Sequence, residues 1–254
     1  MKKYQIFTLC ALIILSVFFT IPIAGFYGAA WNIKNHQTDS IPSYSYFIWN
    51  LYSLMQYKSN STPNEYSRSL EKMIETNSEI GAASIPVWSV ALEAPNYPKE
   101  TFPNGIPVFF HFDGFSGEVN EMNTINHYIG MYPMERGAQF EMSLMPYIFL
   151  TVTLFMIAYL YLNNRRSWIL MTAPILLPVG FLADFAGWLY WFGHNMQEWG
   201  AFKIKPFMPT VFGDGKVAQF TTHSYPSIGF YLLLLIAALS ILAIFSKLKE
   251  SKMR

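Results

Sequence analysis

Soft metal ligands gather in one short stretch of this chain. Between Asn123 and Met145 lie His127, Met131, Met134, Met142 and Met145, with Met122 just before them. His127, Met131 and Met134 stand at i, i+4 and i+7, positions that share one face of a helix. Thioether and imidazole together suit copper, above all Cu(I), which is soft and tolerates few ligands. Zinc fits less well without thiolates or three clear histidines. The other reading is packing, since methionine fills irregular gaps between apolar groups. Gly130 and Pro133 also interrupt a continuous helix.

Other candidates lie elsewhere. "FHFDGFSGEV" places His111 and Asp113 two apart, on the same face if the strand is regular. They could complete a metal site or hydrogen-bond each other. His194 and Met196 follow a long apolar run, and His223 precedes another. Short loops would bring both histidines to the membrane face that carries His127. Asp184 sits within an apolar run, "GFLADFAGWLYWFGHNM". An aspartate inside a spanning helix costs at least ~2.5 kcal/mol by insertion scales, so it needs a partner or a wet cavity. Arg136 is the expected partner. Asp184 lies about 15 Å along the helix from His194, hence in the outer half of the membrane.

The elements that must position these residues are mostly apolar. Hydrophobic residues make up 52% of the 254-residue chain and charged residues only 13%. That balance is far from an ordinary soluble domain. The apolar residues are concentrated in four runs: 6–30, 144–162, 168–192 and 227–245. Each is close to the length of about 20 residues that a bilayer requires. The first is longer than the apolar region of a signal peptide, which favours a retained anchor.

The basic residues set the orientation. With the N-terminus inside, the inside segments hold Lys2, Lys3, Arg165, Arg166, Lys247, Lys249, Lys252 and Arg254, against the single acid Glu250. Segment 31–143 then lies outside with twelve acids and six bases. Segment 193–226 is a second outside loop and 246–254 an inside tail. The expected fold class is an α-helical membrane protein. It has four transmembrane helices, both termini inside, and a small α+β periplasmic domain between helices 1 and 2. A bacterial inner membrane with the large loop in the periplasm is the expected setting.

Within 31–143, "SYFIWNLYSLM" suits the membrane interface, where Trp and Tyr are favoured. "STPNEYSRSLEKMIETN" reads as a helix capped by Thr62 with Pro63 at its first position. "IPVWSVAL" and "IPVFFHF" alternate and are rich in strand formers. "FGDGK" has the wrong spacing for a phosphate-binding loop and reads as a tight turn. The single cysteine, Cys10, rules out an intrachain disulfide and a CxxCH haem motif, so a c-type haem is excluded. Net charge is +1, so nothing in it suggests nucleic acid. The chain has no GxSxG or HExxH motif, and a binding or assembly role is expected ahead of an enzymatic one.

Two blocks, "NTINHYIGMYPM" and "PVGFLADFAGWLYWFGHNM…IKPFMPTVFGDGKVAQFTTHSYPSIG", together with the four-run layout, carry a family resemblance. They resemble the NosB-type membrane proteins encoded in nitrous oxide reductase gene clusters of the atypical kind. The resemblance covers the anchor and roughly the last half of the chain. It implies a periplasm-facing accessory protein of nitrous oxide respiration, a denitrification step whose reductase is a copper enzyme matured outside the cytoplasm. His127 and Met131 fall within the matched "NHYIGM".

Three functions follow as expectations. In the first, the chain binds Cu(I) beside the bilayer and assists a periplasmic copper reductase. Copper binding should then fall when His127 or Met131 is replaced. In the second, the chain is a metal-free assembly or anchoring subunit that docks other respiratory subunits. In the third, it is a quinol-linked electron-transfer subunit working near Asp184 and His194.

Overall fold

The computed structural model describes residues 1–20, 85–95, 102, 104–162, 164, 166–217 and 219–252, with the backbone alone at 19, 20 and 252. The expected interfacial segment, the Thr62-capped helix and the end of the first apolar run lie outside the described residues.

Three helices are long and apolar enough to cross a membrane. They are α3 (Gln139–Tyr161), α4 (Thr172–His194) with the 3-10 turn Ser167–Met171 before it, and α5 (Ile228–Lys252). All three are apolar around most of their circumference, as a lipid-facing helix must be. The lipid-facing positions carry large exposed side chains such as Leu150, Leu154, Leu176, Val179, Leu234 and Leu242. The protein is accordingly membrane-embedded. A shorter helix, α1 (Lys3–Thr20), packs most extensively along α5 and also touches α3. Its described part is too short to count as a fourth span.

A five-stranded antiparallel sheet stands on one end of these helices. Its strands are β1 (Trp88–Glu93), β2 (Ile106–Phe110), β3 (Phe115–Gly117), β4 (Gly213–Val217) and β5 (Phe220–Pro226), in the order β3-β2-β1-β5-β4. The two expected strands are β1 and β2. The sheet, however, recruits β4 and β5 from the segment between the last two membrane helices. "FGDGK" is therefore no isolated turn: Gly213 to Lys216 pair with β5 from Ser224 back to Thr221. Strands from segments 31–143 and 193–226 build one sheet.

Strand alternation gives the sheet two different faces. Trp88, Val90 and Leu92 share a face with their register partners Phe110, Val108, Ile106, Ser224 and Thr222. Trp88 is 1% exposed and meets the rings of Phe181 and Phe185 on α4 and Phe230 on α5 at 5.2–6.1 Å. Its indole N–H donates to Ser224 Oγ at 2.9 Å, so burial leaves the polar edge satisfied. The start of α5 is tied to the chain before β1: the Ser227 and Gly229 N–H groups donate to Val87 and Pro86 carbonyls at 2.9 Å. Sheet and membrane helices thus share one core.

A ten-residue helix, α2 (Val119–Tyr128), connects β3 toward α3. It packs Val119 and Met122 against Val108 and Phe115 on the sheet.

Candidate functional site

The end of α2 decides where the soft ligands go. Gly130 has φ of +81°, a conformation favoured by glycine. The Gly130 N–H donates to His127 O at 3.0 Å and the Met131 N–H to Asn126 O at 2.7 Å. This pair of bonds is the Schellman ending of a helix. The chain reverses there. His127 stays on the exposed outer side, stacked on Trp199 with centroids 6.3 Å apart. Met131 turns inward and is 8% exposed. The expected shared face of His127, Met131 and Met134 therefore does not exist, because the helix ends before Met131.

Met134 is held inward by a separate device. Asn123 on α2 accepts the Met134 N–H through Oδ1 at 2.9 Å and donates through Nδ2 to both carboxylate oxygens of Glu135 at 2.8 Å. One amide fixes the 3-10 turn Met134–Arg136 against the helix. Ala138 then adopts φ of +54°, the only non-glycine residue in the left-handed region among the described residues. Such a conformation costs roughly 1–3 kcal/mol and persists where surrounding structure imposes it. It starts α3 at Gln139, before the apolar run, and places Glu141 in its first turn.

These turns surround a cavity of about 200 Å³ between the apolar sheet face, α2, α3 and α4. Met122, Met131, Met134, Met142 and Met145 all line it. Phe110, Phe185 and Trp188 contribute aromatic wall, and His111, Glu141 and Asp184 bring ionisable groups. The volume is below that of a drug-sized pocket, so it suits an ion or a small molecule. Thioether and imidazole are soft donors, and five methionines and one histidine are among the lining residues.

His111 reaches this cavity from the turn after β2, not from a strand face shared with Asp113. The strand ends at Phe110, and the His111 N–H donates to Gly114 O at 2.9 Å to close the turn. His111 is 4% exposed, with Nε2 2.7 Å from Ser116 Oγ. Asp113 lies in the turn itself and is half-buried.

Asp184 does not pair with Arg136. The Arg136 guanidinium lies 3.9 Å over the Tyr132 ring and is exposed. Asp184 instead lines the cavity together with Glu141. Glu141 Oε2 is the one buried side-chain oxygen or nitrogen without a hydrogen-bond partner among the described residues. Glu141 was not anticipated from sequence, because an acid in a first helical turn is ordinary at a positive helix end.

The remaining candidates lie apart. His194 is exposed at the end of α4, its Nδ1 2.9 Å from Tyr190 O and its ring stacked on Tyr190 at 3.9 Å. Met196 is half-buried in the loop that follows. That loop crosses α2: the Gln197 N–H donates to Gly130 O at 2.7 Å and the Phe202 N–H to Tyr128 O at 3.1 Å.

His223 belongs to the other face of the sheet. Its Nδ1 lies 2.6 Å from Asp214 Oδ1 and its Nε2 3.4 Å from Glu93 Oε1. The Tyr225 hydroxyl also donates to Asp214 at 2.9 Å. The His223 and Tyr225 bonds hold the Asp214 carboxyl below the usual aspartate range, and the same bond to Asp214 pushes the Tyr225 hydroxyl up. The segments that carry His127 and His194 thus meet, but the three histidines do not line the cavity: His127 and His194 are exposed, and His223 is across the sheet from it. No cluster of three His, Cys, Asp or Glu side chains suited to a metal exists among the described residues.

No protein-family model, no curated protein and no solved structure matches this chain.

Proposed function

We propose that this chain is a membrane-embedded accessory protein that holds Cu(I) at the outer side of the bilayer for a copper reductase of nitrous oxide respiration. The observation that carries the copper reading is the methionine-lined cavity, in which Met122, Met131, Met134, Met142 and Met145 face one space with His111. Thioethers hold Cu(I) without needing deprotonation, and they discriminate against the harder divalent ions. The resemblance of "NTINHYIGMYPM" and the α4-to-α5 block to NosB-type proteins supplies the respiratory context. In this reading the chain has four spans with both termini inside a bacterial inner membrane, and the sheet lies in the periplasm. Copper is cargo rather than a resident catalyst.

The ligand set differs from the one that spacing alone suggests. His127 is outside the cavity, so it is dispensable for binding. The test is copper bound per chain, measured on detergent-purified protein under reducing conditions against a competing Cu(I) chelator. The paired substitution Met131→Leu with Met134→Leu keeps apolar bulk and removes two thioethers. Near-stoichiometric copper, lost in that pair and retained in His127→Ala, is the expected result. Wild-type protein that takes no copper from the chelator would sink this reading and leave a metal-free docking subunit in its place.

A further inference from the structure

The cavity holds two carboxylates that a thioether site does not itself require. Glu141 enters from the first turn of α3 and Asp184 from the middle of α4. Membrane-spanning helices admit an acid only at considerable cost unless something compensates it. Here the expected cation, Arg136, is committed to Tyr132. No salt bridge to Glu141 or Asp184 exists among the described residues. One oxygen of Glu141 is buried with no hydrogen-bond partner among them. An orphaned buried acceptor calls for a specific explanation, and a bound cation is one.

We propose that Glu141 and Asp184 form the anionic pole of the methionine-lined cavity and strengthen the binding of a soft cation there by charge, while the thioethers make the choice for softness. This rests on the copper reading above and adds a division of labour to it. Thioethers are neutral, so a methionine site leaves the full charge of Cu(I) uncompensated in an apolar surrounding. A carboxylate a few ångströms away offsets that charge without having to coordinate. Burial between helices makes this attraction stronger than at a surface and less sensitive to salt. The carboxylates therefore act as positioning residues for the ion, while the methionines supply its bonds.

The experiment uses the full chain in nanodiscs of zwitterionic lipid, with silver(I) nitrate as an air-stable soft monovalent probe. Silver affinity is read by competition with a chromophoric chelator. Asp184→Asn and Glu141→Gln, each nearly isosteric, are expected to weaken silver binding by about tenfold or more. Asp184→Glu, which keeps the charge, is expected to retain most of the affinity. Wild-type affinity should hold as sodium nitrate is raised well above physiological ionic strength, since both half-buried acids line the cavity.

Each failure points to a different fault. Carboxamide variants that bind silver like wild type would overturn the anionic pole and leave the thioether site standing. So would a wild-type affinity that collapses with salt, because the attraction would then come from surface charge. Wild-type protein that binds no silver would overturn the copper reading and this inference together.

Discussion

The two ends of the membrane region treat buried polar groups in opposite ways. At the end that holds the chain termini, Lys247 on α5 donates to the carbonyls of Tyr159 and Leu162 at 2.8 and 2.7 Å. Its ammonium also lies 4.0 Å from the Tyr159 ring centroid and 4.9 Å from that of Tyr4. The Tyr159 hydroxyl donates to Ala243 O at 3.1 Å, and Lys2 reaches Glu250 at 3.5 Å. Carbonyls that a helix end leaves orphaned are thereby satisfied. At the sheet end, Glu141 keeps one buried oxygen without a partner among the described residues, and it lines the cavity together with Asp184. A polar group that closes its own hydrogen bonds belongs to the structure. One that leaves them open is a candidate for function.

The largest stability effect should come from breaking the closed end. Lys247→Met keeps the apolar stem but removes two charge-assisted hydrogen bonds and two cation–π contacts. The expected loss is about 2 kcal/mol, read as an earlier unfolding midpoint in mixed detergent micelles. Copper binding should stay unchanged. A variant as stable as wild type would show that Lys247 only snorkels past these groups.

The open end should respond with the opposite sign. Asp184→Leu removes a charge from the membrane and fills part of the cavity. A gain of about 1 kcal/mol is expected in the same unfolding assay, with silver binding lost. Stability bought at the expense of binding is the usual mark of a functional polar group. A loss of stability would instead make Asp184 a structural residue with a partner beyond the described segments.

The same contrast explains what could be read from sequence. The membrane helices and strands β1 and β2 follow from apolar runs and alternation, which are local signals. Asp184 was conspicuous because its cost is intrinsic to the residue and its surroundings. β4 was missed because "GDGKV" offers no apolar alternation: Asp214 and Lys216 point outward, and Gly215 leaves room for Thr210. Its strand character comes from pairing with β5, a tertiary effect. "FTTHSYP", the β5 sequence, carries the Phe, Thr and Tyr content of a strand and could have been recognised. The His127–Met131–Met134 spacing misled because it assumed a helix through Gly130. The glycine itself carried the correction, since it is the favoured residue at such a helix ending. That the methionines nevertheless share a space depends on Asn123, Ala138 and the placement of α3, none of which spacing reveals.

The smallest expected effect lies on the face of the sheet away from the cavity. Asp214, His223, Glu93 and Tyr225 satisfy one another there, so this cluster resembles the closed end rather than the open one. Asp214 has a folded-state pKa below its unfolded value, chiefly because His223 and then Tyr225 bond to its carboxylate. A carboxylate shifted downward adds stability above its unfolded pKa of about 3.9 and loses it as pH falls through the lower folded value. The β4–β5 hairpin should therefore loosen on acidification below about pH 4, seen as faster hydrogen exchange at its amides. Asp214→Asn should remove that acid-linked part, leaving exchange in the hairpin flat over the same range. The effect should be small, since Asp214 is exposed and water screens its bonds. Copper or silver affinity should not follow it, because His223 and the cavity lie on opposite faces of the sheet. If metal affinity tracked the Asp214 titration, the two faces would be coupled and His223 would return as a ligand candidate.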